Sequence, residues 1–178
     1  MKPHEEHKAK GPASVSIGVV VVSTSRYEEK LKGEHLSDKT LPIVKKTLEG
    51  FPNIHLKKTQ IIADDKGQIN AQFDAFMDQG NLDAIIFSGG TGLSPKDITY
   101  ETLQPRIEKE IPGFGELFRS LSYEEIGSSA MLSRATGGSI KNKIIFLLPG
   151  SPNAVKLALK KLILPELKHL IYLINKKE

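Results

Sequence analysis

The segment Phe87-Ser88-Gly89-Gly90-Thr91-Gly92-Leu93-Ser94-Pro95-Lys96-Asp97-Ile98-Thr99 places three glycines within four residues and an aspartate five residues after the last of them. Glycine leaves backbone N–H groups free of side-chain cover, so such a loop can wrap an anion closely. A carboxylate beside it can hold a metal ion or a reacting group. The combination points to phosphate or nucleotide chemistry; a plain tight turn is the other reading of the glycines.

Neither standard nucleotide fingerprint is present. A P-loop needs lysine after its last glycine, and Leu93 follows Gly92. The dinucleotide fingerprint needs another glycine at position 95, which is proline. Asp64 is the second acid of interest, because it also follows an apolar, strand-like run. Two carboxylates over a phosphate cradle suit Mg²⁺, which takes one or two acids plus substrate phosphates. Either aspartate could instead cap a helix, since both precede helix-like segments. Asp65 reads as a surface or supporting residue, and His35 as a solvated loop histidine.

These residues need a scaffold, and the periodicity supplies one. Ser16–Val22, Lys57–Ala63, Ala84–Phe87 and Lys143–Leu148 are apolar or β-branched runs that read as strands. A polar loop through Lys32-Gly33-Glu34-His35 is expected after the first, then a helix over about 36–50 with Pro42 in its first turns. Ile69, Phe73, Phe76 and Met77 share one helical face, with Gly80 as the expected cap. Mixed helical segments run on to Tyr123, with Pro112-Gly113-Phe114-Gly115 read as a turn. A long apolar helix over 153–175 closes the chain, kinked or broken at Pro165. Its apolar face is mostly core, part of it available to another subunit.

Apolar strands alternating with helices predict a mostly parallel sheet with helices on both faces. Ser23-Thr24, Asp64-Asp65, Ser88 to Gly92 and Pro149-Gly150-Ser151-Pro152 each follow a strand's C-terminal end. In such sheets ligands bind at that edge, so the four loops are expected to converge on one site.

The bulk composition fits one soluble domain. The chain has 178 residues, 39% hydrophobic and 26% charged, with a formal net charge of +4. No arginine cluster with interleaved aromatics points to nucleic acid, while an anionic small molecule suits the mild positive charge. With no cysteine there is no disulfide, no thiolate catalysis and no cysteine-bound metal. Residues 1–14 read as a flexible charged tail, His4 and His7 as a solvated pair within it, and 15–178 as one domain. No signal peptide or membrane span is read, so the expected location is the cytoplasm.

Ser88-Gly89-Gly90-Thr91-Gly92 followed by Lys96-Asp97-Ile98-Thr99 resembles the G-G-T-G-x-x-x-[RK]-D-x-T signature of the MoaB/Mog family of molybdenum cofactor biosynthesis. The likeness extends through Pro112 to Arg119, Leu121 to Gly127, Leu132-Ser133-Arg134-Ala135 and Leu148 to Pro152. It covers roughly residues 15–165 and is nearer the MoaB branch. The resemblance implies a three-layer α/β domain that binds molybdopterin, a dithiolene-bearing pterin phosphate. Active members adenylylate it with ATP and Mg²⁺, giving adenylyl-molybdopterin and pyrophosphate, ahead of molybdenum or tungsten insertion by a downstream protein. Homotrimers or hexamers are implied as well.

By position, Asp64 and Asp97 would be the catalytic, Mg²⁺-holding acids, and Gly89, Gly90, Thr91 and Gly92 would take the pterin's phosphate end. Ser23, Thr24, Ser88, Lys96, Thr99, Pro149, Gly150, Ser151 and Pro152 would contribute to the same substrate pocket. Lys96 stands where many members carry arginine, Tyr100 where proline is common, and Lys30-Leu31-Lys32-Gly33 replaces an acid-Ser/Thr-Gly loop. A non-catalytic molybdopterin carrier of the same fold is the alternative function, and a scaffold or module for another anion is a third.

Overall fold

A computed structural model of the chain describes residues 10–176. His4 and His7 lie outside them. In chain order the elements are β1 (Val15–Val22), α1 (Thr24–Lys32), α2 (Thr40–Leu48), β2 (Ile54–Ile62), α3 (Lys66–Met77), β3 (Ala84–Ser88) and α4 (Thr99–Leu103). They continue with β4 (Lys109–Glu110), α5 (Pro112–Ile126), β5 (Thr136–Ile140), β6 (Lys143–Leu148), α6 (Pro152–Ala158) and α7 (Leu164–Asn175). A 3₁₀ segment, Gly127–Leu132, follows α5.

One six-stranded sheet runs in the order β2-β1-β3-β6-β5-β4. The four strands read from the sequence are its parallel part, while β5 and β4 pair antiparallel beyond β6. Successive side chains on a strand point to opposite faces, and two apolar layers result. On one face Val15, Ile17, Val19, Ile86 and Phe146 pack with Val44 of α2, Phe118 of α5 and Leu167 of α7. On the other, Val20, Ile85, Phe87 and Leu147 pack with Ile69, Phe73 and Phe76 of α3. The molecule is therefore the expected three-layer α/β sandwich.

Several boundaries differ from the expected ones. The stretch read as loop after β1 is mostly α1, a helix with no buried residue. Gly33 closes it at φ 68°, and Lys30 and Lys32 in its last turn favour the helix dipole. The next helix begins at Thr40 rather than Leu36, because the Asp38 carboxylate accepts from the amides of Thr40 (3.0 Å) and Leu41 (2.9 Å). Gly80 is not a cap: α3 ends at Met77, with Asp78 next. Pro112-Gly113-Phe114-Gly115 is the first turn of α5, not a loop, and proline suits that position because a first-turn N–H has no partner to lose.

The closing helix is interrupted, as Pro165 predicts. A π-helical segment, Leu159–Ile163, separates α6 from α7 just before it. Proline lacks the N–H that would bond back one turn and its ring crowds that carbonyl, so the wider turn absorbs the mismatch. At the other terminus, a Cβ on Gly11 would sit 2.9 Å from the carbonyl oxygen of Lys168, so this part of the expected tail lies against α7.

Gly113 gives a simple stability test. Nothing lies within 4 Å of where its Cβ would be, and its φ is not in the left-handed region. Gly113→Ala should stabilise the protein by about 0.5–1 kcal/mol through a less disordered unfolded chain, read as a raised urea midpoint at unchanged slope.

Candidate active site at the strand ends

The loops after β1, β2, β3 and β6 do converge. They line one cavity of about 1000 Å³, with Ser23, Thr24, Asp64, Gly89 to Gly92, Pro149, Gly150 and Ser151 along the sheet edge. Lys96 and Asp97 complete its polar side. Facing them is a wall of Phe118, Ser122, Glu125 and Ile126 from α5, Leu132, and Ala154 and Leu157 from α6. One half of the cavity thus suits phosphate, and the other, which also carries Ser129 and Ser133, suits a ring system that packs on apolar side chains and hydrogen-bonds at its edge.

The local folding explains the convergence. β1 and β3 are hydrogen-bonded neighbours, so Gly89 emerges beside the end of β1, and a Cβ there would strike the carbonyl oxygen of Val22. The Gly89 amide donates to Leu148 O (3.0 Å), which ties the loop to β6 as well. Gly90, at φ 65°, lies under Asp64: a Cβ on it would meet both carboxylate oxygens, at 2.8 and 2.9 Å. A Cβ on Gly92 would come within 2.6 Å of Asp97 Oδ2. Gly89 is required by the Val22 backbone, and Gly90 and Gly92 because Thr99 and the two acids press directly on the loop.

Asp64 is held from two sides. Its amide donates to Thr24 Oγ1 (3.1 Å), and its carboxylate accepts from the Ile98 amide (3.4 Å). Its carboxyl is pushed above the ordinary aspartate range, first by burial and then by the charges of Asp97 and Glu101, with the Ile98 amide opposing. A cation between the two acids would relieve both strains. Among the described residues no cluster of three or more acidic or histidine side chains could complete a metal's shell. Two carboxylates with phosphate and water filling the rest is the habit of Mg²⁺, so the donor set fits that ion.

Not every expected contact faces the cavity. Ser88 is fully buried, and its hydroxyl donates to Pro149 O (3.1 Å), tying two site loops together. Thr99 is also fully buried; its amide donates to Gly90 O (2.8 Å), bracing the loop from below. Pro152 opens α6 behind the lining residues. Asp65 caps α3 by accepting from the Gln68 amide (2.9 Å), and His35 is exposed away from the cavity. Lys30, Leu31, Lys32 and Gly33 also lie outside the lining, at the far end of α1.

Residues 18–169 match the family described as "Probable molybdopterin binding domain". The chain belongs to this molybdopterin-binding, MoaB/Mog family. It is 40% identical over 173 residues to "Molybdenum cofactor biosynthesis protein B" of Bacillus subtilis, covering 97% of each chain. It is 44% identical over 147 residues to the "Probable molybdopterin adenylyltransferase" of Methanocaldococcus jannaschii, covering 83% of this chain and 86% of that one. Its fold superposes on the "tungsten cofactor synthesizing protein MoaB" of Pyrococcus furiosus with a TM-score of 0.78 at 35% identity, over 93% and 99% of the two chains.

The wall residues of α5 and α6 were not among the expected site residues, and neither was Arg134, which holds the glycine loop. Arg134 donates from Nε to Thr91 O (2.9 Å) and from Nη2 to Gly92 O (2.6 Å), and is ion-paired with Glu101. Its guanidinium lies 4.6 Å from the centre of the Tyr100 ring. The signal available was an arginine inside the matched segment Leu132 to Ala135, whose partners are backbone atoms more than forty residues away.

Proposed function

We propose that this protein is a molybdopterin adenylyltransferase of molybdenum or tungsten cofactor biosynthesis. The observation that carries the proposal is the meeting of Asp64 and Asp97 over a glycine loop with free amides, inside a cavity that has an apolar far wall. The names of the M. jannaschii and B. subtilis relatives support the same reading.

In this reading a phosphate oxygen of the pterin attacks the α-phosphorus of ATP. A new P–O–P bond forms, the bond to the bridging oxygen breaks, and pyrophosphate leaves with that electron pair. No strong base is needed, because the attacking phosphate is already anionic near neutral pH. The task of the protein is placement and charge stabilisation. The glycine-loop amides donate to phosphate oxygens, and Lys96, which forms no ion pair among the described residues, adds a positive charge beside them. Phe118, Ile126 and Leu157 shield the reacting groups from water on the opposite side. Asp64 and Asp97 would hold Mg²⁺, which supplies charge neutralisation to the polyphosphate.

A homotrimer or hexamer in the cytoplasm, handing its product to a metal-insertion protein, completes the proposal. The deciding assay is pyrophosphate release from ATP and Mg²⁺ with purified molybdopterin. Release that requires the pterin supports the transferase. Tight pterin binding without release would replace it with the carrier reading, and Lys96, which cannot make the bidentate phosphate contact of arginine, would be the first residue to change back.

A further inference from the structure

The amides of Gly90, Thr91 and Gly92 donate to no acceptor among the described residues. A glycine-rich loop with unpaired amides has little reason of its own to keep them pointed at an anion, since glycine peptides turn over easily. The carbonyls, by contrast, are all taken. Gly90 O accepts from the Thr99 amide, Thr91 O from Arg134 Nε, and Gly92 O from Arg134 Nη2.

In a planar trans peptide the C=O and the next N–H point in opposite directions. Holding a carbonyl therefore aims the following amide. Thr99 aims the Thr91 amide, and Arg134 aims those of Gly92 and Leu93. Arg134 does this from outside: it lines not the main cavity but a smaller cleft of about 430 Å³ behind the loop. The planar guanidinium is itself fixed by Glu101 on its edge and the Tyr100 ring on its face. Glu101 also offsets its charge, so its contribution is geometric.

We infer that Arg134, clamped by Tyr100 and Glu101, is the positioning residue of the anion cradle, gripping the Thr91 and Gly92 carbonyls so that the loop keeps its course and the Gly92 amide faces the phosphate. The inference rests on the loop being a phosphate cradle, but not on turnover.

The test is calorimetric titration of the full chain with inorganic pyrophosphate and Mg²⁺, alongside thermal melts. Arg134→Ala should weaken binding about tenfold, the size of one charge-assisted hydrogen bond. Arg134→Lys, which keeps the charge and loses the fork, should weaken it nearly as much. Added methylguanidinium should restore part of the Arg134→Ala loss, and an ammonium salt at equal ionic strength should not. Should Arg134→Ala fail to fold, Tyr100→Leu is the substitute: it changes no charge, removes the ring against the guanidinium face, and should weaken binding about threefold.

Binding within twofold of the unmodified chain in Arg134→Ala, or in Tyr100→Leu where that stands in, would overturn the inference even with a lowered melting temperature. Restoration by lysine would also overturn it, leaving only a charge effect. Arg134-dependent pyrophosphate binding in a chain that releases none from ATP supports this inference and rejects the transferase. Undiminished turnover in Arg134→Ala does the reverse. A chain that binds no pyrophosphate at all rejects the cradle and this inference together.

Discussion

Asp64→Asn is expected to cut pterin-dependent pyrophosphate release by about 10²–10³-fold, the usual cost of removing one charged group aimed at a reacting phosphate or its metal. The same substitution should make the fold more stable at neutral pH. The Asp64 carboxyl is pushed above its usual range by burial and by Asp97 and Glu101, so its charged form is disfavoured in the folded chain. A carboxyl whose folded pKa exceeds its unfolded one destabilises the fold at pH values above both, and the penalty fades as pH falls through the folded pKa. Asparagine escapes the penalty, and its amide oxygen can still accept from Ile98. Without Mg²⁺, Asp64→Asn should therefore gain stability over the parent near pH 7 and lose that advantage as the pH falls to the ordinary aspartate range. Urea denaturation across that range checks the sign. A variant equally destabilised at every pH would mean that Asp64 is a structural residue.

Gly89→Ala should damage the protein more broadly, by about 4 kcal/mol, combining backbone strain with a backbone collision. Gly89 sits at φ 108°, a region that side-chain-bearing residues rarely enter. Its Cβ would also be driven into the carbonyl of Val22, at the end of a central strand buried on both faces. That neighbour is backbone, not a flexible side chain that can step aside. β1 and β3 would have to part just where Ser23 and the glycine loop meet. The expected results are a large fall in denaturation midpoint and loss of pyrophosphate binding. A variant that keeps both would show that the loop has another conformation available.

The contrast between what was and was not legible in the sequence has a physical basis. The three inner parallel strands, β1, β3 and β6, are buried on both faces, so they show as unbroken runs such as Lys143-Ile144-Ile145-Phe146-Leu147-Leu148, while β2 at the sheet edge is exposed at His55, Lys57 and Lys58 and shows through its apolar end Ile61-Ile62. The cavity followed from them, because strand ends in a parallel sheet share one edge. α1 was missed because it buries nothing and so carries no apolar stripe. β5 was missed because Thr136-Gly137-Gly138-Ser139-Ile140 looks like loop chemistry. Gly137 is instead the space into which the Phe146 ring packs, and Gly138 the space beside the backbone of Lys109 and Glu110. The roles of Ser88 and Thr99 behind the cavity wall depend on hydrogen bonds to Pro149 O and Gly90 O, which no local pattern encodes.

The strand order also bears on when the site can come into being. β3 lies between β1 and β6, its partners more than fifty residues away on either side. A chain emerging from the ribosome has made Asp64, the glycine loop and Asp97 long before Arg134 and the Pro149-Gly150-Ser151 corner exist. Until β6 slots in beside β3, the loop lacks both its tie to Leu148 and its outer clamp. Contacts this distant in sequence close late and slowly. Anion affinity should thus be absent from a nascent chain and arrive together with the completed sheet.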